Sequence, residues 1–258
     1  MSTIILSLFT TILFTSSLSA KEKVKVALVQ SSFEWGDVEA NIRNISNKLQ
    51  NISGCDLIVL PELFLSGCDM RKKSKEESRR SKDRVAAHYE TAIEKMRLWA
   101  KQTDAVIIGS TIYKEDNSYY NRLLAIYPSG EYKTYDKHNC FKRGSFTAGN
   151  KHLVIEVKGH RYATYICYDL RFPEWSKNND RYDTAIYIAN WTETTGEDWN
   201  NLLRERAIEN EAHVIGVNCI GTDKAGKIYM GDSQVVSPEG KVLAKCQSKK
   251  EENLIVTF

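Results

Sequence analysis

Tyr165-Ile166-Cys167-Tyr168-Asp169-Leu170-Arg171-Phe172-Pro173-Glu174-Trp175 is the run on which the reading of this chain turns. An apolar stretch from Arg161 leads into the cysteine, a polar turn follows, and Pro173 suits the first position of a helix. A strand that breaks directly into a helical turn holds its last side chain on rigid backbone, with unfilled backbone amides in front of it. Those amides can stabilise a thiolate and a developing oxyanion. The competing reading is a buried structural cysteine, the usual state of that residue.

Outward from this run the pattern stays mixed α/β. Leu153–Val157 and Arg161–Ile166 read as a hairpin closed by Lys158-Gly159-His160, followed by a buried strand at Tyr182–Ala189. Asp198–Asn210 reads as a helix and His213–Ile220 as a strand. Ser233–Ala244, turning at Pro238-Glu239-Gly240, and Leu254–Phe258 read as a closing meander. Upstream, Val24–Gln30 is a strand entering a core. Asp37 caps a helix to about Leu49, and the buried strand Asp56–Leu60 stops at Pro61. Glu76 to about Gln102 reads as one long helix whose apolar face includes Ala87, Ile93, Met96, Leu98 and Trp99. Ala105–Tyr113 and Tyr120–Tyr127 are strands around the turn Glu115–Ser118, and the second ends at Pro128-Ser129-Gly130. Direct hairpins among helices predict a layered α/β sandwich in one domain, not a doubly wound sheet.

Two further places carry chemistry. In Val59-Leu60-Pro61-Glu62-Leu63-Phe64 a glutamate ends a buried strand among apolar walls, the partly desolvated setting that suits a general base. An ordinary surface carboxylate is the alternative. In Thr134-Tyr135-Asp136-Lys137-His138-Asn139-Cys140-Phe141 a lysine lies among aromatic residues, where it could hold an oxyanion or depress a thiol pKa; most lysines are simply solvated. His138 alone is weak grounds for a Cys–His pair. The other histidines (88, 152, 160, 213) lack metal-ligand spacing, and no C-x-x-C pair, Gly-rich phosphate loop or Gly-x-Ser-x-Gly elbow occurs. No metal is expected.

With 258 residues, 42% hydrophobic and 27% charged, the chain can build a full core and is not a disordered one. A net charge of +3 gives no case for nucleic acid, and no run nears the roughly 20 apolar residues of a membrane span. Residues 1–20 lack charged side chains, are apolar from Ile4 to Phe14 and end in small residues before Lys21. They read as a signal peptide, which makes the protein periplasmic or secreted and leaves residues 21–258 as the folded domain. An uncleaved anchor, or a start codon placed too early on a cytoplasmic protein, are the alternatives. Export would permit disulfides among Cys55, Cys68, Cys140, Cys167, Cys219 and Cys246, and would expose sequons at Asn44, Asn51 and Asn190. The run Arg71–Arg84, with eight basic and three acidic side chains, is either a solvated helix face or a basic rim that steers anionic substrates.

Glu62, Lys137 and Cys167, in this order and at these intervals, resemble the catalytic set of the nitrilase superfamily of carbon–nitrogen hydrolases. The likeness runs from Val24 to about Val242. It is strongest toward the ω-amidase-like branch, through the segments Cys167–Pro173, Tyr187–Trp191, Arg206–Asn210, Val214–Asn218 and Gly231–Ser233. The resemblance implies a four-layer-forming αββα sandwich, a homodimer built through the outer helices, and catalysis without a cofactor. It implies Glu62 as base and Cys167 as nucleophile, with Lys137 and the backbone N–H of Tyr168 at the oxyanion. The substrate would be a small anionic amide such as 2-oxoglutaramate or 2-oxosuccinamate. Arg171 and Trp191 are candidates for the pocket that clamps it, with structural roles in the turn as the alternative. Hydrolysis of another amide or N-carbamoyl group, or a non-catalytic binding role, are the rival functions. Two departures stand out. The family's second glutamate after the lysine is missing, since no glutamate lies between Lys137 and Asn150, and Thr192 stands where this branch carries proline.

Overall fold

The computed structural model describes residues 22–67, 74–141, 145–179 and 181–258. The segment 1–20, Cys68, the start of the basic run at 71–73 and residues 142–144 lie outside them. Strands β1 (Lys25–Gln30), β2 (Leu57–Val59), β3 (Val106–Glu115), β4 (Ser118–Ile126), β5 (Tyr132–Asp136) and, at the end of the chain, β14 (Glu252–Thr257) build the first sheet, in the order β14-β1-β2-β3-β4-β5. Strands β6 (Val154–Val157), β7 (His160–Ile166), β8 (Thr184–Ala189), β9 (His213–Asn218), β12 (Gln234–Val236) and β13 (Val242–Lys245) build the second, in the order β13-β12-β9-β8-β7-β6. A ribbon of β10 (Ile220–Thr222) and β11 (Ile228–Met230) stands apart. The central pairs β1–β2, β2–β3, β7–β8 and β8–β9 are parallel, so β1–β3 end on one edge of the first sheet and β7–β9 on one edge of the second.

Strand alternation sorts the side chains into layers. Val26, Leu28, Leu57, Val59 and Ile108 face the second sheet, joining Ile166, Ile186 and Ile215 in one core. Ala27, Val29, Ile58 and Ile107 face outward and are covered by α1 (Val38–Leu49) and α3 (Tyr89–Thr103). On the opposite side α5 (Gly196–Asn210) lies so close to β9 that a Cβ on Gly216 would come 2.5 Å from Leu203 Cδ1. The result is helix, sheet, sheet, helix, the αββα order that the resemblance implies. Each aliphatic side chain fully buried in these layers contributes about 1.5–3 kcal/mol.

Most predicted elements are present: Asp37 caps α1 through a 2.9 Å bond from Ala40 N–H, and Lys158-Gly159 turns β6 into β7. Three readings need correction. The single long helix is two, α2 (Lys75–Ala86) and α3, because His88 leaves the helical well at ψ 14° and each half buries its own stripe. Leu98 is exposed, and Tyr89 and Ala92 take the buried places instead. The closing meander is only β12–β13. β14 crosses to the first sheet and pairs antiparallel with β1, covering an edge that would otherwise be bare. Finally β5, within the stretch read for its lysine alone, is an edge strand whose exposed Tyr132, Lys133 and Thr134 hide the alternation.

Candidate active site

Pro61 ends the run of β2, and Glu62 opens a turn that reaches Gly67. Leu63 adopts the left-handed conformation (φ 49°), a strain of roughly 1–2 kcal/mol for an L-residue. Ser110 on β3 holds it there: its hydroxyl accepts from Leu63 N–H at 2.8 Å and its carbonyl from Phe64 N–H at 3.1 Å. This turn drives the Glu62 side chain into the space between the sheets, where it is 2% exposed. Lys137 follows β5 directly. Its N–H donates to the Asn121 carbonyl and its own carbonyl accepts from Gly149 N–H, each at 3.0 Å. One residue before it, Asp136 is gripped by Arg122 through bonds of 2.7 and 2.8 Å.

The two side chains meet. Lys137 Nζ donates to Glu62 Oε1 at 2.8 Å, and Asn121 Nδ2 donates to the same oxygen at 2.7 Å. Glu62 Oε2 accepts from the backbone N–H of Asn190 at 2.9 Å, and Asn190 Nδ2 returns a 3.0 Å bond to the Glu62 carbonyl. Asn190 follows β8, so the carboxylate of the first sheet is bolted to the second. Burial works against the charge on Lys137, but Glu62, the Cys167 sulfur and Asp169 outweigh it and hold the ammonium well above the usual lysine range.

Cys167 sits at the end of β7 in the left-handed region (φ 49°), and residues 167–171 form one tight helical turn behind it. Tyr168 N–H belongs to the opening of that turn, where amides have no partner within the turn itself. Asp169, fully buried, ties this elbow to the lysine segment. Its Oδ2 accepts from Ile166 N–H at 3.0 Å and Tyr135 OH at 2.7 Å; its Oδ1 accepts from Asn139 N–H at 2.7 Å and Asn139 Nδ2 at 3.1 Å. Tyr135 and Asn139 flank Lys137 by two residues on either side, so one carboxylate sets the distance between both segments. Burial raises the Asp169 pKa, against the pull of Lys137 and these donors.

The remaining candidates fall as follows. Arg171 pairs with Asp198 at 2.5 Å and lies over the Trp191 ring, 4.9 Å from its centre. Trp191 is buried, and its Nε1 donates to the Thr195 carbonyl at 2.6 Å. The Tyr168 ring packs edge-on against Phe141 and Phe172, both half-exposed. His138 stacks on Trp175 with its Nδ1 2.6 Å from the Gly149 carbonyl, so its ring face and one nitrogen are engaged by these two residues. Asn190 is 2% exposed, which closes that sequon to a glycan in the folded protein. Cys55, Cys140, Cys167, Cys219 and Cys246 are all thiols. Among the described residues no three His, Cys, Asp or Glu side chains converge as a metal site requires.

Sequence reasoning missed Asn121, Asp169 and Asn190. Asn121 had a signal, because it is the polar member of an inward-facing row with Leu123 and Ala125. Asn190 also had one, as the first polar residue after the six buried residues of β8. Asp169 was in view but gave no hint that its partners are Tyr135 and Asn139.

The carbon–nitrogen hydrolase profile matches residues 25–258. An ω-amidase of Escherichia coli, YafV, is 38% identical over 225 residues, covering 86% of this chain and 84% of its own. A 2-oxoglutaramate amidase of Bacillus subtilis is 27% identical over 90% of this chain and 89% of its own. Among solved structures, XC1258 of Xanthomonas campestris, a CN-hydrolase superfamily protein with an arsenic adduct in its active site, superposes with a TM-score of 0.83 at 32% identity, covering 92% of this chain and 90% of that one. Two facing sheets with their strand ends gathered on a buried Glu–Lys pair, and a match over nearly the whole described chain, have one meaning: the protein belongs to the carbon–nitrogen hydrolase family and is a hydrolase acting on amides.

Proposed function

We propose that the chain is an ω-amidase that releases ammonia from the terminal amide of a small 2-oxo dicarboxylate monoamide, through a thioester on Cys167. The buried Glu62–Lys137 pair beside the strained Cys167 elbow carries the reading, supported by the similarity to ω-amidase and 2-oxoglutaramate amidase relatives. Glu62 Oε1 already accepts two hydrogen bonds and Oε2 one, so Oε2 has the lone pair for a proton. In this reading it takes the proton from the Cys167 thiol as sulfur attacks the amide carbon. Lys137 Nζ and Tyr168 N–H hold the oxyanion; one such donor is worth about 2.7–4 kcal/mol in the transition state. As the tetrahedral species collapses, the C–N bond breaks and Glu62 gives its proton to the departing nitrogen, which leaves as ammonia.

Water then attacks the thioester, surrendering a proton to the same Glu62, and the C–S bond breaks to give the 2-oxo acid. The proton returns to sulfur, so the enzyme is restored and the sum is amide plus water to acid plus ammonia. Splitting one hard displacement into two easier ones is the general gain of a covalent nucleophile. The stacked Arg171 and Trp191 are read as a wall of the pocket beyond Tyr168. Purified protein mixed with 2-oxoglutaramate is expected to release ammonia and 2-oxoglutarate in equal amounts. No ammonia from this substrate, with turnover of other linear amides, would sink the ω-amide assignment and leave only the broader amidase.

We also read residues 1–20 as an export signal and the mature chain as a homodimer. Fractionation, intact mass and light scattering of protein expressed in a bacterial host are expected to find an exported chain beginning at Lys21, at twice the chain mass. A cytoplasmic chain retaining Met1 would overturn the export reading, and a monomer the dimer.

A further inference from the structure

Helix α2 carries the described part of the basic run, and one of its cations behaves unlike the others. Arg79, Arg80 and Arg84 are exposed, whereas Lys82 is half-buried. Its ammonium donates to the Ser145 carbonyl at 2.9 Å and lies 4.6 Å from the centre of the Tyr119 ring and 5.6 Å from that of Phe146. No carboxylate among the described residues pairs with it. The neighbouring Asp83 is taken by Lys114 at 2.6 Å and by Tyr119 OH at 2.7 Å. Burial lowers the Lys82 pKa, and Asp83 offsets this only in part. An ammonium has three donor positions, and a half-desolvated one without a counter-charge costs stability that a bound carboxylate would restore.

Two chains of contact place this cation beside the site. Tyr119 and Asn121 are both buried and two residues apart on β4, hence on one face and about 7 Å apart. Asn121 is the residue bonded to Glu62. The second path runs through the segment that Lys82 touches: Thr147 N–H donates to the Tyr119 carbonyl at 2.7 Å, and Gly149 N–H to the Lys137 carbonyl at 3.0 Å. The ammonium therefore rests on the Tyr119 ring and on the Ser145 carbonyl, at the head of a strand and a segment that lead within a few residues to the partners of Glu62 and Lys137. Arg171, the other cation considered for this task, already has Asp198.

We propose that Lys82 receives the carboxylate of the amide substrate and so selects amides that carry a carboxylate at the far end. This rests on the ω-amide reading above. The test compares kcat/KM on 2-oxoglutaramate with that on butanamide, a neutral amide, for wild type, Lys82→Met and Lys82→Arg. Methionine keeps the alkyl stem over the two rings, and thermal melts check that each variant folds. Lys82→Met is expected to lose about 10- to 100-fold on 2-oxoglutaramate, chiefly through KM, the range expected for one hydrogen bond to a charged group. Its preference for that substrate over butanamide should shrink by a similar factor, and Lys82→Arg should keep part of it. A wild type that does not prefer 2-oxoglutaramate overturns this proposal and the ω-amide reading together. A wild-type preference that Lys82→Met leaves intact, including equal losses on both substrates, overturns only the role of Lys82 and makes it a staple for the segment around Ser145.

Discussion

Cys167→Ala is expected to lose amide hydrolysis by roughly 10⁴-fold or more, the scale seen when a covalent nucleophile is removed from a site whose members act as a unit. The protein should otherwise stay intact. Asp169 still accepts from Ile166 N–H, Tyr135 OH and Asn139, so the elbow keeps its anchor, and alanine at φ 49° is strained much as cysteine is. Cys167→Gly makes the comparison sharper. It should be equally inactive yet more stable than Cys167→Ala by about 1 kcal/mol, because glycine occupies the left-handed region without a Cβ clash. Ammonia release and urea midpoints on the two variants measure both effects. Hydrolysis by Cys167→Ala within tenfold of wild type would remove Cys167 from the mechanism. A glycine variant no more stable than alanine would show that the elbow carries no backbone strain.

Glu62→Gln is expected to damage activity and stability at once. Without the carboxylate no group at Oε2 takes the thiol proton, and turnover should fall by a factor on the order of 10²–10⁴. The amide also leaves the Lys137 ammonium buried without its counter-charge. Breaking such a pair from one side costs about 3–5 kcal/mol, and the amide oxygen recovers part of that by accepting one bond. Glu62→Gln combined with Lys137→Met removes the stranded charge, so the double variant should regain much of the lost stability and none of the activity. That divergence separates the two roles of the pair. If the double variant were less stable than Glu62→Gln by the full cost of a second independent substitution, the charges would not be coupled, contrary to the 2.8 Å contact.

The three residues that carry the proposed chemistry each had a local mark, though each also had a structural alternative until the family resemblance joined them. Pro61 stops a strand before Glu62, an apolar run delivers Cys167 to a turn that Pro173 continues, and aromatic neighbours mark Lys137. Turn chemistry and strand alternation act within a few residues, so they survive in a bare sequence. The layered α/β sandwich was legible for the same reason, through direct hairpins among helices, and its αββα order through the family resemblance.

What the sequence by itself determined, then, is where strands end, which side chains stand at those ends, and to which family the set belongs. Tertiary structure alone decided the rest. It sent β14 back to β1, since a strand's hydrogen-bonding edge accepts any partner of suitable register and names none. It broke the long basic helix at His88, where two buried stripes meet different neighbours. It gave Arg171 to Asp198 and left Lys82 without a carboxylate among the described residues, a distinction that two exposed-looking cations do not carry in their own sequence. And it joined Glu62 to Asn121 and Asn190, and Asp169 to Tyr135 and Asn139, across 30 to 128 residues of chain. A buried polar atom must find a partner wherever the fold brings one, and that partner is set by the packing of two sheets rather than by the residues beside it.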